Sequence, residues 1–440
     1  MSERPRRSFG TNVLISFGFT GLMTVLAFAN SVVLARLTGA EGRGLYALAV
    51  AGLGIAVPIL SAGLSFSATW AIGQGRNLAQ VVSLDHLWSL MLLLLGGSLG
   101  GGISWWFGGL PTEPWAQVLF TCVLTAPAMV YGEIVRGALL GLDQVVRYNA
   151  VQVSGVLVLL IANLTLLHLG AWAVLLTLGL SYWVVAIVLL LGHVRHVRRL
   201  VIPEKTLVTD SVRYGVKAAG TSLVEILITR LDYLLVTPIV GVAAIGLFSV
   251  SDQIVAVLGW GGLVAGRMML AESARDSQGD NARRKLGLGV RILLFVVGLA
   301  ALGAAALGWW LIPVVFGAEF ADSYIGLLIL LPCAMLRGAS ALLSTYLIGR
   351  NVIRPALKAG AAAILVVLVF APLSAHAFGW LGIAGVRVVA VLVQLVLNAR
   401  AYREATGDHF RWVLNGEDVV ALRNWVQVRL ERRRGPPGSP

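Results

Sequence analysis

Ser222, Glu225, Thr229 and Asp232 recur at intervals of 3, 4 and 3 residues inside an otherwise apolar run. That spacing puts all four on one face of a helix, with Arg230 pointing elsewhere. A second stripe, Thr121, Thr125, Met129, Glu133 and Arg136, brings Glu133 and Arg136 within pairing reach of each other. Arg387, Gln394 and Asn398 form a third, Arg337 lies in another apolar run, and Asp252 opens one more. A carboxylate in a medium of low dielectric can be neutralised by a proton or a metal cation, which makes Glu225 and Asp232 candidates for ion coupling. Asp232 has a plainer reading too, as half of a hydrogen-bonded pair that fixes its helix. No Ser/His/Asp set, metal-ligand spacing or phosphate-binding loop accompanies these groups, so neither an enzyme nor a bound cofactor is expected.

The elements that must position these side chains are set by composition. The 440 residues are 58% hydrophobic and 12% charged, and a chain of that make-up cannot cover itself with polar surface. Lipid offers no partner to a bare peptide group, so the chain must cross as helices of about 20 apolar residues. Twelve such runs can be read, from one at about 12–37 to one at about 383–402. The expected fold class is an all-α polytopic membrane protein. The basic opening "RPRR" followed by an apolar run imitates a secretory leader, but the run continues past Ala27-Phe28-Ala29 far enough to span. Cys122 and Cys333 each fall inside a run, which suggests neither a disulfide framework nor a metal site.

A net charge of +13 would fit a nucleic-acid binder, but its distribution does not. Alternating the spans puts Arg36 and Arg43 on one side and embeds Arg136, Arg230, Arg337 and Arg387. The remaining Lys and Arg fall on or beside the other side, in "HVRHVRR", "RRK", "GRNVIRP" and "RLERRR". Basic loops mark the cytoplasmic face, so both termini are expected there and no nucleic acid is needed. After residue 402, "GEDVVALRNWVQVRLERRR" reads as an amphipathic helix on an anionic leaflet, or equally as a solvated one. Trp105, Trp106, Trp309 and Trp310 fit an interfacial aromatic belt.

The chain also repeats itself. Gly39 and Gly44 in "ARLTGAEGRGLYALAV" return 202 residues later as Gly241 and Gly246 in "TPIVGVAAIGLFSVSD". Pro127 followed by "GLDQVVR" is matched by Pro332 followed by "GRNVIR". Six crossings restore the starting side, so the repeat predicts two parallel six-helix halves, a transporter design. The division is 1–194 and 214–402, with 195–213 as linker and 403–440 as a basic tail. The glycines are expected to let helices turn tightly and pack closely.

Three stretches, "SVVLARLTGAEGRGLYALAVAG", "RLDYLLVTPIVGVAAIGLFSVSDQI" and "LLPCAMLRGASALLSTYLIGRN", resemble the polysaccharide repeat-unit flippases of the multidrug, oligosaccharidyl-lipid and polysaccharide exporter superfamily. The resemblance covers nearly the whole chain and implies two six-helix lobes in a V around a central cavity. It implies residence in the bacterial inner membrane and movement of an isoprenoid-linked saccharide to the outer leaflet. Partners would be that lipid-linked oligosaccharide, the membrane lipids and a glycan polymerase machinery. On this reading Arg36, Arg136, Arg230 and Arg387 give a cationic cavity surface to the diphosphate, each with an interhelical ion pair or a snorkelling side chain as its plainer role. A peptidoglycan-precursor flippase would usually add two further helices, which are not found. An ion-coupled drug antiporter would favour an acidic, aromatic-lined cavity, whereas these spans hold at least as many arginines as carboxylates. A membrane polymerase or ligase would need a substantial outer loop, and those loops are short.

Overall fold

The computed structural model describes residues 9–194, 201–275, 280–350, 352–408, 410 and 412. The chain folds into helices α1 (Phe9–Leu60), α2 (Leu64–Gly73), α3 (Leu78–Trp106), α4 (Pro114–Gly141), α5 (Val145–Leu166), α6 (Ala173–Val194), α7 (Lys205–Val240), α8 (Val242–Arg275), α9 (Asp280–Phe316), α10 (Ser323–Gly349) and α11 (Ile353–Thr406). Two of these are each a pair of spans. Gly39 (φ 65°, ψ −164°) breaks α1 and Gly379 (φ 61°, ψ −148°) breaks α11. The second part of α1 continues into α2 after a break at Ala62 and Gly63, both at positive φ. Joined and divided in this way, the helices give the twelve spans expected.

Among the described residues, nine helices are long and apolar enough to cross a membrane. Helix α7 is not one of them despite its 36 residues, because Glu225, Arg230 and Asp232 lie within it. The most charged helix is therefore also the one that lipid alone would accept least. The expected amphipathic helix of the tail and the "HVRHVRR" cluster lie largely or wholly outside the described residues.

Burial is inverted relative to a soluble protein. Leu90, Met91, Leu94, Leu95 and Leu99 of α3 are exposed, as are Trp105, Trp106, Trp309 and Trp310 at the ends of α3 and α9. Small residues lie inside, where they let helices approach. The chain divides into two compact units: one runs to Asp252 and adds Trp309–Gly326 and Ile364–Arg387, and the other holds Gln253–Gly308, Leu327–Ala363 and the chain from Val388. In the first, Val57, Leu64, Leu84, Leu92, Val130 and Ile134 form a core between the second part of α1, α2, α3 and α4. In the second, Gly262 of α8 lies against the backbone of Gly338 of α10, and Asn398 Nδ2 donates to Ser340 Oγ at 3.0 Å.

The glycine repeat has a structural meaning inside the first unit. Gly241 (φ 84°, ψ 164°) adopts the same backbone as Gly39, a region that only glycine enters at little cost. Five residues on from each, the two turns meet. A side chain at Gly44 would strike the carbonyl of Val242, and one at Gly246 would strike the carbonyl of Ala40. Residue 242 stands to 40 as 246 stands to 44, so the contact is made twice with the roles exchanged. This is a local two-fold relation between the repeats.

Gly44→Ala and Gly246→Ala should each cost about 1–3 kcal/mol, because backbone cannot move aside as a flexible side chain can. Gly101→Ala in α3, where a methyl meets nothing within 4 Å, should leave stability unchanged. Melting temperatures in one detergent compare the three, and equal melting of G246A and G101A would contradict the close contact.

Candidate functional site

Asp232 lies nine residues before Gly241 in α7, Asp252 eleven after it in α8, and Arg387 eight after Gly379 in α11. At about 1.5 Å per residue each sits ~12–17 Å along its helix from the turn, near the middle of a hydrocarbon layer ~30 Å thick. Charge placed there must find its partner within the protein.

It does. Arg387 and Asp232 are each 1% exposed. The guanidinium donates from Nε to Asp232 Oδ2 at 2.8 Å and from Nη2 to Oδ1 and Oδ2 at 2.7 and 2.6 Å. Nη2 also donates to the Thr229 carbonyl at 3.1 Å, and Nη1 pairs with Asp252. The Tyr233 hydroxyl donates to the other oxygen of Asp252 at 2.9 Å. Phe248 and Tyr233 present their rings to the guanidinium, with centroids 4.7 and 5.4 Å from Cζ. One arginine is thus clamped by two carboxylates and two rings from α7 and α8.

Two further cations border this clamp. Arg230 lies 5.8 Å from the Tyr233 ring centroid, is half-buried, and has no carboxylate partner among the described residues. Arg43, assigned by its sequence position to a loop, is buried in α1. Its Nε donates to Ser249 Oγ at 3.0 Å, one turn before Asp252 on α8. The cluster therefore holds three guanidinium groups against two carboxylates, an excess of one positive charge.

The structure brings Arg387, Asp232 and Arg230 together and leaves the other sequence-selected residues elsewhere. Arg36 is exposed and donates from Nε to the Val315 carbonyl at 2.8 Å and from Nη2 to that of Val314, so it caps the last turn of α9. Arg136 pairs with Glu133 within α4, as their spacing predicts. Glu225 is exposed about 10 Å along α7 from Asp232. Tyr233 and Arg43 were not selected from sequence, and Asp252 was noted without a role. Their signal was proximity to Asp232 and to the repeated glycines. Among the described residues no group of three or more His, Cys, Asp or Glu could hold a metal.

The same place in the other repeat is filled by neutral groups. Asn30 lies nine residues before Gly39, as Asp232 does before Gly241. Asn163 Nδ2 donates to Asn30 Oδ1 at 2.7 Å, and Thr177 Oγ1 donates to Asn163 Oδ1 at 2.6 Å, all fully buried. Thr177 follows Gly170 by seven residues, close to the eight that separate Arg387 from Gly379. One half fastens its helices with amides and a hydroxyl, the other with ions.

The second part of α1, α3, α4 and α7 enclose a cleft of about 600 Å³ that reaches Leu234, the residue after Tyr233 in α7. Its lining includes Gly52, Leu95, Trp115 and Leu234 and is almost wholly apolar.

These features define an all-helical, polytopic membrane protein. The chain belongs to the polysaccharide biosynthesis protein family, whose model matches residues 9–260. Among solved structures it is similar to the lipid II flippase MurJ in an inward closed conformation, at 11% identity and a TM-score of 0.68, over 97% of this chain and 94% of that one. It is also similar to an inward-facing multidrug resistance MATE transporter, at 15% identity and a TM-score of 0.64, over 90% and 100%. A MATE protein in complex with MaL6 gives 15% and 0.57, over 91% and 97%. These likenesses concern the fold. No curated protein sequence matches.

Arg387→Leu should destabilise the protein by about 3–5 kcal/mol, because it strands two buried carboxylates. The triple variant R387L/D232L/D252L should recover most of that loss, since it removes the uncompensated charge as well. Thermal melts of the purified proteins check both, and a single variant as stable as the parent would contradict the clamp.

Proposed function

We propose that the protein moves an isoprenoid-diphosphate-linked saccharide from the cytoplasmic to the outer leaflet of a bacterial inner membrane. The observation that carries this reading is the sign of the embedded cluster: three arginines face two carboxylates, and Arg230 is the cation left over. A positive surplus at membrane depth recruits an anion, and a diphosphate suits guanidinium groups, which bind phosphate in bidentate fashion. The apolar cleft of about 600 Å³ offers the isoprenoid chain a place beside its headgroup. Family membership in polysaccharide biosynthesis supports the saccharide.

Movement would follow from alternating access of two six-helix halves, 1–194 and 214–402, joined through 195–213. Both termini would be cytoplasmic, as the basic loops argue. A glycan polymerase machinery would take up the product. Glu225 is the better candidate for ion coupling, because Asp232 is already committed to Arg387 and Glu225 is exposed. Arg36 and Arg136 would contribute through helix capping and the Glu133 pair rather than by holding the diphosphate.

Liposomes carrying the purified protein and a fluorescent isoprenoid-diphosphate oligosaccharide provide the test. Arg230→Ala should lower the rate of transfer about tenfold or more while leaving melting temperature within a few degrees. Protein-independent transfer, or a rate unaffected by R230A, would count against the reading. Uptake of a cationic dye in place of the lipid would move it to drug export. Glu225→Gln should abolish any response of the rate to an imposed proton or sodium gradient, and an unchanged response would remove Glu225 from coupling.

A further inference from the structure

Helix α7 packs along α1 and α2, and close backbone contacts hold it at both ends. At the Gly241 end these are the contacts of Gly44 and Gly246 with opposite carbonyls. The other end repeats the device. A side chain at Gly63 would strike the carbonyl of Gly215, and one at Gly215 would strike those of Ala62 and Gly63. Ala62 and Gly63 are the break between α1 and α2, and Ala62 stands there at φ 47°, a conformation that a β-carbon disfavours. Strain of that kind collects at segments that switch. Between the two ends lie Arg230, beside Gly54 of α1, and the part of the apolar cleft lined by Gly52, Ala56, Leu60 and Leu234.

The two ends are fastened differently. At the Gly241 end the turns interlock: Arg36 caps α9, Glu319 Oε1 accepts from the Ala40 amide at 3.1 Å, and buried Arg43 donates to Ser249. At the Gly215 end water reaches the fastenings. Trp70 of α2 stacks on the exposed Tyr214 with centroids 4.9 Å apart at 17°. Arg76 Nη2 lies 3.5 Å from Asp210 Oδ2, and both side chains are nearly half exposed. Gln80 Nε2 donates to Glu204 Oε1 at 3.1 Å, and the Val201 amide donates to Ser83 Oγ at 2.9 Å. Leu207 is buried among Ala68, Ala71, Val81 and Ala138. Exposed polar pairs contribute little, and alanines bury little apolar area, so this end parts more readily than the other.

We propose that residues 201–215 are a latch: released from α2 and the start of α3, they open a way from the cytoplasmic face to Arg230 and the apolar cleft while the Gly241 end stays closed. Gly215 and Gly220, five residues apart in α7, loosen the helix between the latch and Glu225 and let it bend there. The inference rests on the transport reading for what passes and for which face is cytoplasmic. The motion itself is independent of it.

The full-length protein in nanodiscs provides the test, with Cys122 and Cys333 replaced by alanine and nitroxide labels at Gln74→Cys and Thr206→Cys. Both labelled sites are exposed and take no part in the contacts above. Double electron–electron resonance should show two label separations, one for the latched and one for the released segment. Gly215→Ala, which sets a methyl against backbone, should raise the ratio of longer to shorter about tenfold or more. The surface variant R76A/E204A should raise it about two- to fivefold, and it keeps the test open should G215A fail to fold. In unlabelled protein, joining Gln80→Cys to Glu204→Cys with a short reversible thiol cross-linker should lower lipid transfer in liposomes about tenfold or more, with recovery on reduction. A single separation shared by the parent and both variants would overturn the latch. So would a cross-linked protein that transfers lipid at the rate of the reduced one. Separations that shift as expected in a protein that transfers no lipid would leave the latch standing and remove the transport reading.

Discussion

A guanidinium group cannot be left bare at the depth of Arg387, and most of the surrounding arrangement follows from that constraint. Its pKa is too high for it to escape by losing its proton, so the protein must surround it. Asp232 takes two edges of the fork, Asp252 takes the third, and Phe248 and Tyr233 cover its faces. Each contact comes from a helix whose rotation is thereby fixed. Helices α7, α8 and the second part of α11 keep this register only if the three charges are present together or absent together, since removing one leaves the others without compensation in low dielectric. A neutral network would have fastened the helices without that dependence, as Asn30, Asn163 and Thr177 do in the first repeat.

The repeat explains why the ionic cluster could arise without disturbing the frame. Gly39 and Gly241 share a backbone conformation, and Gly44 and Gly246 each receive a carbonyl from the opposite turn. These contacts are made by backbone, so they constrain the glycines and leave neighbouring side chains free to differ between halves. Nine residues from each turn, one half carries Asn30 and the other Asp232. Two-fold packing at the glycines thus coexists with asymmetric chemistry two to three turns away.

How much of this was legible in the sequence depends on the range of the interaction. Local spacing sufficed for the helical stripe through Glu225 and Asp232, the pairing of Glu133 with Arg136, and the turns at Gly39 and Gly241. Helical spans followed from the lack of hydrogen-bond partners in lipid. Pairing of Asp232 with Arg387 spans 155 residues and obeys no period. The same holds for Arg36, whose partners are backbone carbonyls 278 and 279 residues away. A carbonyl leaves no mark in sequence, so an arginine that caps a distant helix looks identical to one that lines a cavity. Arg43 was placed in a loop because the kink at Gly39 is sharper than a hydropathy window resolves, which lets the second helix begin at once.

The balance of charge bears on what such a site can carry. Had Arg387 stood alone with Asp232 and Asp252, the cluster would be negative by one charge and would suit a cation. Arg230 and Arg43 reverse that sign, and they do so from α7 and α1, helices already held by the glycine contact. The two carboxylates leave Arg387 poorly placed to meet a ligand, because each of its nitrogens already faces an oxygen. A half-buried cation at the edge, near the Tyr233 ring and without a carboxylate of its own among the described residues, can still gain by meeting an anion. Arg387 therefore acts as the fixed point that orders α7, and Arg230, two residues from Asp232 on the same helix, is the group that this order presents to a diphosphate.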